Sequence, residues 1–208
     1  MALALNEIKD GIFKRSVQMF TYAPYFISTV VIVSMIILML SPRTGIINSF
    51  IELLGFEAIN FLGSADMFRP VFVWSDAWQL TGYSAIIYLA ALAGVDRQQY
   101  EAAKIDGATR LQKIWNIDIP GIMPAIVIIL ILSVGNLMAI GFEKVYLLQK
   151  PLNLGTSEIL QTYVYNMGII NANFSFSTAV GLFNSLVNLV LLIIVNTIAK
   201  RISGSGLW

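Results

Sequence analysis

The chain contains neither cysteine nor histidine among its 208 residues. Without cysteine it can form no disulfide bond and no thiolate metal site, and without histidine it lacks the usual metal ligand and proton shuttle. A Gly-x4-Gly-Lys-Ser/Thr phosphate loop is also missing, so we expect the chain to bind no nucleotide and to catalyse no reaction by itself. The net charge of +1 argues against a polyanionic partner such as nucleic acid.

Charged residues are scarce as well. They make up 12% of the chain against 57% hydrophobic residues, a balance outside the range of soluble domains. Four stretches carry no charge, and each is near or above the roughly 18–20 residues that cross a bilayer as a helix: 20–40, 77–94, 121–142 and 174–199. Helices satisfy their own backbone hydrogen bonds in lipid. The sequence therefore predicts an all-α, polytopic helical transmembrane protein. Residues 1–208 form one membrane domain, with spans at 20–40, 71–94, 121–142 and 174–199.

Lysine and arginine are unevenly distributed over the connections between these spans. One group lies before residue 20, between 95 and 120, or after 199: Lys9, Lys14, Arg15, Arg97, Lys104, Arg110, Lys113, Lys200 and Arg201. The other two loops hold only Arg43, Arg69, Lys144 and Lys150. Cytoplasmic loops carry the excess of these residues, so both ends of the chain and the loop 95–120 are predicted to face the cytoplasm.

Helix signals in the loop 95–120 predict a first short helix. Asp96 with Gln99 three residues later has the spacing of a capping box. The helix is expected to run through residues 100–106 and to stop at Gly107, which can take the left-handed conformation that ends helices.

The same loop predicts a second short helix after that glycine. Thr109 with Gln112 repeats the capping spacing, so a helix is expected through residues 113–116. Pro120 is expected to bias Ile119 away from helical geometry before the third span begins. The loop is thus predicted to be two short helices joined by a glycine elbow.

The first helix of this loop carries small residues and an acid. Ala102 and Ala103 would let the backbone of another protein approach closely, and Glu101 could offer a carboxylate to a cation on that partner. The alternative is an ordinary interfacial helix, solvated on one side and lying on lipid on the other.

The loop resembles the EAA motif of the membrane subunits of binding-protein-dependent ABC importers. Glu101-Ala102-Ala103 is followed after three residues by Gly107, and after nine more by Ile117-x-Ile119-Pro120. The family motif usually ends Ile-x-Leu-Pro, so Ile119 is a conservative departure. The resemblance implies that an ABC ATPase subunit holds this loop in a surface cleft, and that the coupling residues are Glu101, Ala102, Ala103, Gly107, Ile117 and Pro120.

Other parts of the chain are similar to carbohydrate importers. Residues 142–148 and 156–165 resemble the outward loop of the maltose-permease type, although Gln149-Lys150-Pro151 stands where Gly-Gly-Pro is common. Residues 6–40 and 206–208 resemble the LplB type of oligosaccharide permease. The similarity covers essentially the whole chain.

This resemblance implies an ABC importer type I permease fold with six spans, of which four are visible. Because residues 1–5 look like the last turn of an apolar helix, we expect a chain truncated at its N-terminus. The implied function is that of a permease subunit of an ATP-driven importer, which translocates an oligosaccharide across the bacterial cell membrane. The implied partners are ABC ATPase subunits that hold ATP and Mg²⁺, a second permease subunit, related or identical, and an extracellular sugar-binding lipoprotein. No cofactor is expected on this chain.

Polar residues within the spans mark a candidate substrate path. Ser177, Gly181, Asn184 and Asn188 recur in the last span at intervals of four, three and four, so they share one helical face. Amides are costly against lipid but can hydrogen-bond sugar hydroxyls in a water-filled path. The predicted path residues are Trp78, Gln79, Tyr83, Asn136, Asn184 and Asn188. Polar and small residues also mediate packing between membrane helices, so packing stays open as the alternative.

Two other functions are compatible with a helical membrane protein. An ion-coupled secondary transporter needs an ionisable or ion-coordinating centre deep in the membrane. Asp76 lies at the outward end of its span and is expected to be solvated, and no charged residue lies mid-span, which argues against this function. In a non-transporting membrane scaffold, the polar face of the last span would serve packing alone.

Overall fold

The structure is a computed structural model, and it describes residues 1–138, 141–204 and 206–207. Over this part of the chain the regular elements are helices, and no strand occurs in it. The chain divides into two compact units. Unit 1 comprises Met1–Tyr22, Thr81–Met138 and Ser185–Trp208, and unit 2 comprises Ala23–Leu80 and Ala139–Asn184.

The α-helices of the described residues are, in chain order, α1 (Ala2–Glu7), α2 (Ile12–Tyr22), α3 (Thr29–Met39), α4 (Ile46–Leu53), α5 (Ala65–Ala93), α6 (Arg97–Ile105), α7 (Arg110–Lys113), α8 (Ile119–Gly135), α9 (Phe142–Leu148), α10 (Leu154–Ser157), α11 (Leu160–Tyr165) and α12 (Phe174–Ser203). A 3-10 turn, Ala23–Phe26, follows α2. Two π-helical turns, Ile114–Asp118 and Asn166–Ile170, follow α7 and α11.

Two helical runs among the described residues are long and apolar enough to cross a membrane unaided, Arg110–Gly135 and Phe174–Arg201. Two bent pairs pass the same test when each is taken as one span. The first joins Ile12–Phe26 to α3 at an angle of 108°, and the second joins α5 to α6 at 75°. By length and composition, the structure therefore holds between two and four candidate spans, against the four predicted.

The predicted span 20–40 is broken in the structure. The 3-10 turn after α2 contains Pro24, which has no backbone N–H to continue a helical ladder. A new helix, α3, begins after Ser28, whose side chain caps it by accepting a hydrogen bond of 3.4 Å from the backbone N–H of Val31. The segment counts as a span only as a bent pair.

The predicted third span, 121–142, is shifted towards the N-terminus. Its helix α8 ends at Gly135, and Asn136 follows with φ −106° and ψ 13°. These angles lie in the bridge region, outside α-helical geometry, and the helix ends there. Phe142 does not belong to this helix but begins α9.

Unit 2 has its own apolar core, in which α3 packs against α9. The buried members of this core are Val33, Phe68, Val145 and Leu148. Two bonds from the loop after α9 reach the start of α5. Asn153 Nδ2 donates to the carbonyl of Leu62 at 2.9 Å, and Thr156 Oγ1 donates to that of Ala65 at 2.7 Å. Because Asn153 is fully buried, this bond holds the loop after α9 firmly.

Unit 1 contains a close approach of two helices. Gly82 in α5 lies so near the backbone of Thr21 in α2 that an added Cβ would collide with the Thr21 carbonyl. Small residues permit such contacts between membrane helices, so Gly82 is required for this packing.

Candidate functional site

The first helix of the loop 95–120 begins at the predicted N-cap and ends one residue before the predicted end. Asp96 is the N-cap of α6, and its carboxylate accepts a hydrogen bond of 2.9 Å from the N–H of Gln98, one residue before the predicted Gln99. The helix ends at Ile105, and Gly107 has a φ of +71°. A left-handed residue at this place ends a helix and redirects the chain.

The second helix of the loop begins after Thr109 as predicted, but the helical run continues past its predicted end at residue 116. Thr109 and Gln112 form a capping box, in which the Thr109 N–H donates to Gln112 Oε1 at 2.7 Å. However, Ile119 has φ −62° and ψ −49°, which is α-helical geometry. The prediction that Pro120 would turn Ile119 out of the helix was therefore wrong.

A π-helical turn explains why the helix survives the proline. In a regular α-helix, the ring of Pro120 would clash with the carbonyl of Asn116, four residues earlier. Here the N–H of Ile119 donates instead to the carbonyl of Ile114, five residues back. This wider turn accommodates the proline, so α7, the π-helical turn and α8 form one helical run, Arg110–Gly135.

The predicted coupling residues differ in their accessibility. Glu101, Ala102, Gly107 and Pro120 are exposed, and Ala103 is half-buried. Ile117 is buried, so its side chain packs inside unit 1 and offers nothing to a partner.

Three exposed apolar side chains of this loop were missed by the sequence analysis. Ile105 is 86% exposed, Leu111 69% and Trp115 67%. Ile105 lies four residues after Glu101, and therefore on the same face of α6. Their signal in the sequence was the presence of bulky apolar residues within an otherwise polar loop. Such surfaces are typical of protein contacts.

A shallow cavity of about 400 Å³ lies beside α6, lined by Tyr100, Glu101, Lys104, Gly107, Ala108 and Lys113. Both lysines and the Glu101 carboxylate border it, so its rim carries charges of both signs. The cavity, together with the exposed apolar residues, gives the loop a mixed polar and apolar surface of the kind found at protein interfaces.

The root of the loop is held by buried contacts within unit 1. The hydroxyl of Tyr100 donates to Asp118 Oδ1, and the Asp118 side chain is fully buried. Burial raises the pKa of Tyr100, and the hydrogen bond to the Asp118 carboxylate raises it further, so Tyr100 remains a hydrogen-bond donor at neutral pH. Arg110 lies 3.8 Å from Glu7 of α1. Sequence analysis did not select Tyr100 or Asp118, although an acid directly before an apolar span is a signal that could have been used.

The predicted path residues do not all present free polar groups. Trp78 and Tyr83 are partly exposed. Gln79 is buried, and its Oε1 accepts a hydrogen bond of 3.2 Å from Lys144 Nζ. Asn136 is exposed, and its Nδ2 donates to the carbonyl of Leu132 one turn earlier. Trp78, Gln79 and Asn184 belong to unit 2, whereas Tyr83, Asn136 and Asn188 belong to unit 1.

Asn184 and Asn188 have a feature in common. Each is half-buried on α12, and the side-chain oxygen of each is shielded from solvent with no hydrogen-bond partner in the described structure. A buried oxygen without a donor carries a desolvation cost of about 1–3 kcal/mol. Packing within the described part of the chain thus leaves these two oxygens unsatisfied.

Asp76 is paired rather than simply solvated, which corrects the expectation above. Its Oδ1 lies 3.3 Å from Nζ of Lys144, which is 3% exposed, while Asp76 itself is 36% exposed. The ammonium group also lies 5.9 Å from the ring centroid of Phe72. Burial lowers the pKa of Lys144, and the Asp76 carboxylate opposes this shift. The folding of α9 onto α5 brings this pair together, which no local sequence signal predicts.

A larger cavity of about 550 Å³ lies within unit 2, between α11 and the first turns of α12. Aromatic rings and polar groups share its lining, among them Phe142, Gln161, Tyr165, Phe174, Thr178 and Asn184. Phe142 and Tyr165 belong to a cluster with Tyr146, in which ring centroids lie 5.1–5.6 Å apart. Aromatic faces beside hydroxyl and amide groups are suited to sugar rings.

The sequence matches the model of one protein family over residues 1–204. This family is described as the inner membrane component of binding-protein-dependent transport systems. The chain belongs to this family. The resemblance drawn from the EAA motif is therefore confirmed, and so is the assignment to a membrane.

Two Bacillus subtilis proteins match the whole chain. Protein LplB is 45% identical over 208 residues, and the polygalacturonan/rhamnogalacturonan transport system permease protein YteP is 44% identical over the same length. The chain spans 65% of the length of each of these curated relatives.

A solved structure, that of a bacterial alginate ABC transporter in complex with an alginate pentasaccharide-bound periplasmic protein, contains a similar chain. That chain matches with a TM-score of 0.95 and 35% identity, covering 99% of this chain and 72% of its own length. The all-α polytopic fold predicted from the sequence is thereby confirmed.

Proposed function

We propose that this chain is a membrane-spanning permease subunit of an ATP-driven importer, and that its substrate is a carbohydrate oligomer. One observation carries the proposal. A chain of the binding-protein-dependent transport family presents Glu101 and Ala102 at the surface of a capped helix that stops at a left-handed Gly107. The names of two similar proteins support a carbohydrate oligomer as substrate, since they refer to polygalacturonan or rhamnogalacturonan and to alginate.

In this proposal, α6 is the element that an ABC ATPase subunit holds. The ATP and Mg²⁺ belong to that partner, and this chain contributes a docking surface without chemistry of its own. Glu101 would meet a cation of the ATPase, and Ala102 would allow close approach of its backbone. Ile105, on the same face, is 86% exposed and would be covered by the partner, which removes apolar surface from water.

Movement of α6 would reach the membrane through the helical run Arg110–Gly135. A second permease subunit, related or identical, would complete the path. An extracellular sugar-binding lipoprotein would deliver the substrate to the side opposite α6. Both termini would face the cytoplasm, as the distribution of Lys and Arg indicates.

The substrate path of the proposal includes the residues predicted from the sequence: Trp78, Gln79, Tyr83, Asn136, Asn184 and Asn188. The unsatisfied oxygens of Asn184 and Asn188 support contact with sugar hydroxyl groups. Gln79 would act indirectly, because its oxygen is bonded to Lys144.

Site-directed cross-linking tests the proposal. The chain has no native cysteine, so Ala102→Cys introduces a single thiol, and Ala58→Cys, at an exposed alanine of the predicted outward loop, is the matched control. In the assembled transporter, a thiol at position 102 is expected to cross-link to the ATPase subunit, and one at position 58 is not. A membrane-impermeant thiol reagent should label only position 58 in intact cells.

Two results would contradict the proposal. One is the absence of any cross-link from position 102 in a transport-competent complex. The other is sugar uptake that persists without ATP but collapses when an ionophore removes the ion gradient, which would establish a secondary transporter instead.

A further inference from the structure

Asp118 is a buried acid with an incomplete set of hydrogen bonds. Its side chain is 0% exposed. Oδ1 accepts a bond from the Tyr100 hydroxyl, while Oδ2 has no partner among the described residues. A buried carboxylate without full satisfaction is costly, and replacing Tyr100 and Asp118 together by the apolar pair Phe and Leu would be expected to leave this part of the protein at least as stable. The bond to Tyr100 therefore calls for an explanation other than stability.

The hydrogen bond between Tyr100 and Asp118 joins two different elements. Tyr100 lies in α6, one residue before Glu101, whereas Asp118 is the last residue of the π-helical turn that leads into α8. Since an α-helix turns about 100° per residue, the extra residue of a π-helical turn changes the direction in which the following side chains point. Asp118 is thereby directed at Tyr100 at the point where the helical run enters its apolar part.

One further contact holds the same junction. A Cβ added to Gly121 would lie 2.7 Å from Cγ2 of Val95, so the chain just before α6 packs directly on the first turn of α8. At Gly107, by contrast, a Cβ would meet nothing within 4 Å. The start of α6 is thus fixed to α8, and the loop after α6 lies in open space at its glycine.

We propose that Tyr100 and Asp118 are positioning residues that clamp α6 onto the root of α8, so that a displacement of α6 moves α8 instead of being absorbed by rotation at Gly107. This inference rests on the proposed function, because it assumes that an ATPase subunit displaces α6. It adds the contact through which a displacement of α6 is passed to the membrane-spanning helix α8.

The test uses the complete transporter in proteoliposomes, where sugar uptake and ATP hydrolysis are measured in the same preparation. Tyr100→Phe removes the donor and Asp118→Leu removes the acceptor. Both are expected to lower the number of sugars transported per ATP by roughly fivefold, the factor that corresponds to one net hydrogen bond. The ATPase subunits should still copurify with both variants.

Three controls separate positioning from folding, from charge and from the loss of a hydroxyl elsewhere. Asp118→Asn retains an oxygen that accepts from Tyr100, so it is expected to keep the wild-type ratio of transport to hydrolysis. The double variant Tyr100→Phe with Asp118→Leu removes the donor and the acceptor together, so it should unfold no more readily than the wild type and still show the lowered ratio, which shows that the defect is not loss of the fold. Tyr163→Phe removes a hydroxyl from a partly exposed tyrosine in unit 2 and should leave the ratio unchanged.

A wild-type ratio in both Tyr100→Phe and Asp118→Leu would overturn the clamp. So would an Asp118→Asn variant as uncoupled as Asp118→Leu, because the carboxylate charge would then matter and not the bond. If the cross-link from position 102 forms while these ratios stay normal, the proposed function stands and only the clamp fails. If the cross-link itself is missing, the proposed function fails first.

Discussion

Replacing Asp76 by alanine should destabilise unit 2 by leaving a buried cation without its counter-ion. Lys144 is 3% exposed, so its ammonium group cannot recover the lost attraction from water. Gln79 would remain 3.2 Å away as a neutral acceptor. The perturbation therefore removes charge compensation but keeps one hydrogen bond.

The size of the effect follows from burial on the two sides of the pair. Breaking a fully buried ion pair costs about 3–5 kcal/mol. Because Asp76 is 36% exposed, water already screens part of its charge, and a smaller loss of about 1–2 kcal/mol is expected. In a protein of this size, each kcal/mol corresponds to roughly 2–4 °C in Tm.

Thermal unfolding of the detergent-solubilised protein measures this change. The matched control is the double variant Asp76→Leu with Lys144→Met, which removes both charges and replaces them with apolar groups. Its Tm is expected to equal or exceed that of the wild type. A single Asp76→Ala variant with an unchanged Tm would refute the reasoning, and so would a double variant that is less stable than the single one.

The same pair predicts a dependence on pH. The pKa of Lys144 in the folded protein is lowered from its ordinary value of 10.5, chiefly by burial, so the unfolded chain binds the proton more tightly. Stability should therefore increase as the pH rises from the folded-state pKa towards 10.5. Asp76 raises this pKa, so the increase should begin at a lower pH in Asp76→Ala. Identical pH profiles for the two proteins would contradict this explanation.

Two further predictions concern the loop and the last helix. Gly107→Ala should cost about 1 kcal/mol in a thermal unfolding assay, because φ is +71° and an L-residue is strained there; Gly155→Ala, which meets open space without a positive φ, should cost nothing, and equal losses would contradict the backbone explanation. Asn184→Leu and Asn188→Leu should each raise Tm by removing an unsatisfied oxygen and should lower sugar uptake. Unchanged uptake would favour packing over substrate contact.

The parts of the loop that were predicted correctly depend on short sequence separations. Asp96 caps a helix whose first turn it begins, and Thr109 forms a capping box with Gln112. Such bonds are determined by residues two or three positions apart, so the sequence alone contains the information. The left-handed Gly107 at the end of α6 is likewise predictable from the sequence alone, because it depends on the type of that one residue.

The contacts that were missed join residues distant in the sequence. Lys144 and Asp76 are 68 residues apart, and Tyr100 and Asp118 are 18 apart. Which residues meet in these pairs is determined by how the helices pack against one another. Neither the periodicity nor the hydropathy of the sequence predicts that packing. In the segment 20–40, Pro24 is a local signal for a kink, but the angle of 108° is not encoded locally, since a count of apolar residues does not register the direction of a helix axis.

The wrong prediction at Ile119 changes how the loop can transmit movement. Two short helices hinged at both Gly107 and Ile119 would absorb a displacement of α6 before it reached the bilayer. The structure instead has 26 residues, Arg110–Gly135, in one helical run, which extends about 39 Å at 1.5 Å per residue. This exceeds the roughly 30 Å of hydrocarbon in a bilayer, so about two turns project beyond it. Because the π-helical turn keeps Pro120 within the run, a force on the Arg110 end would, under the proposed function, act directly on the membrane-spanning part.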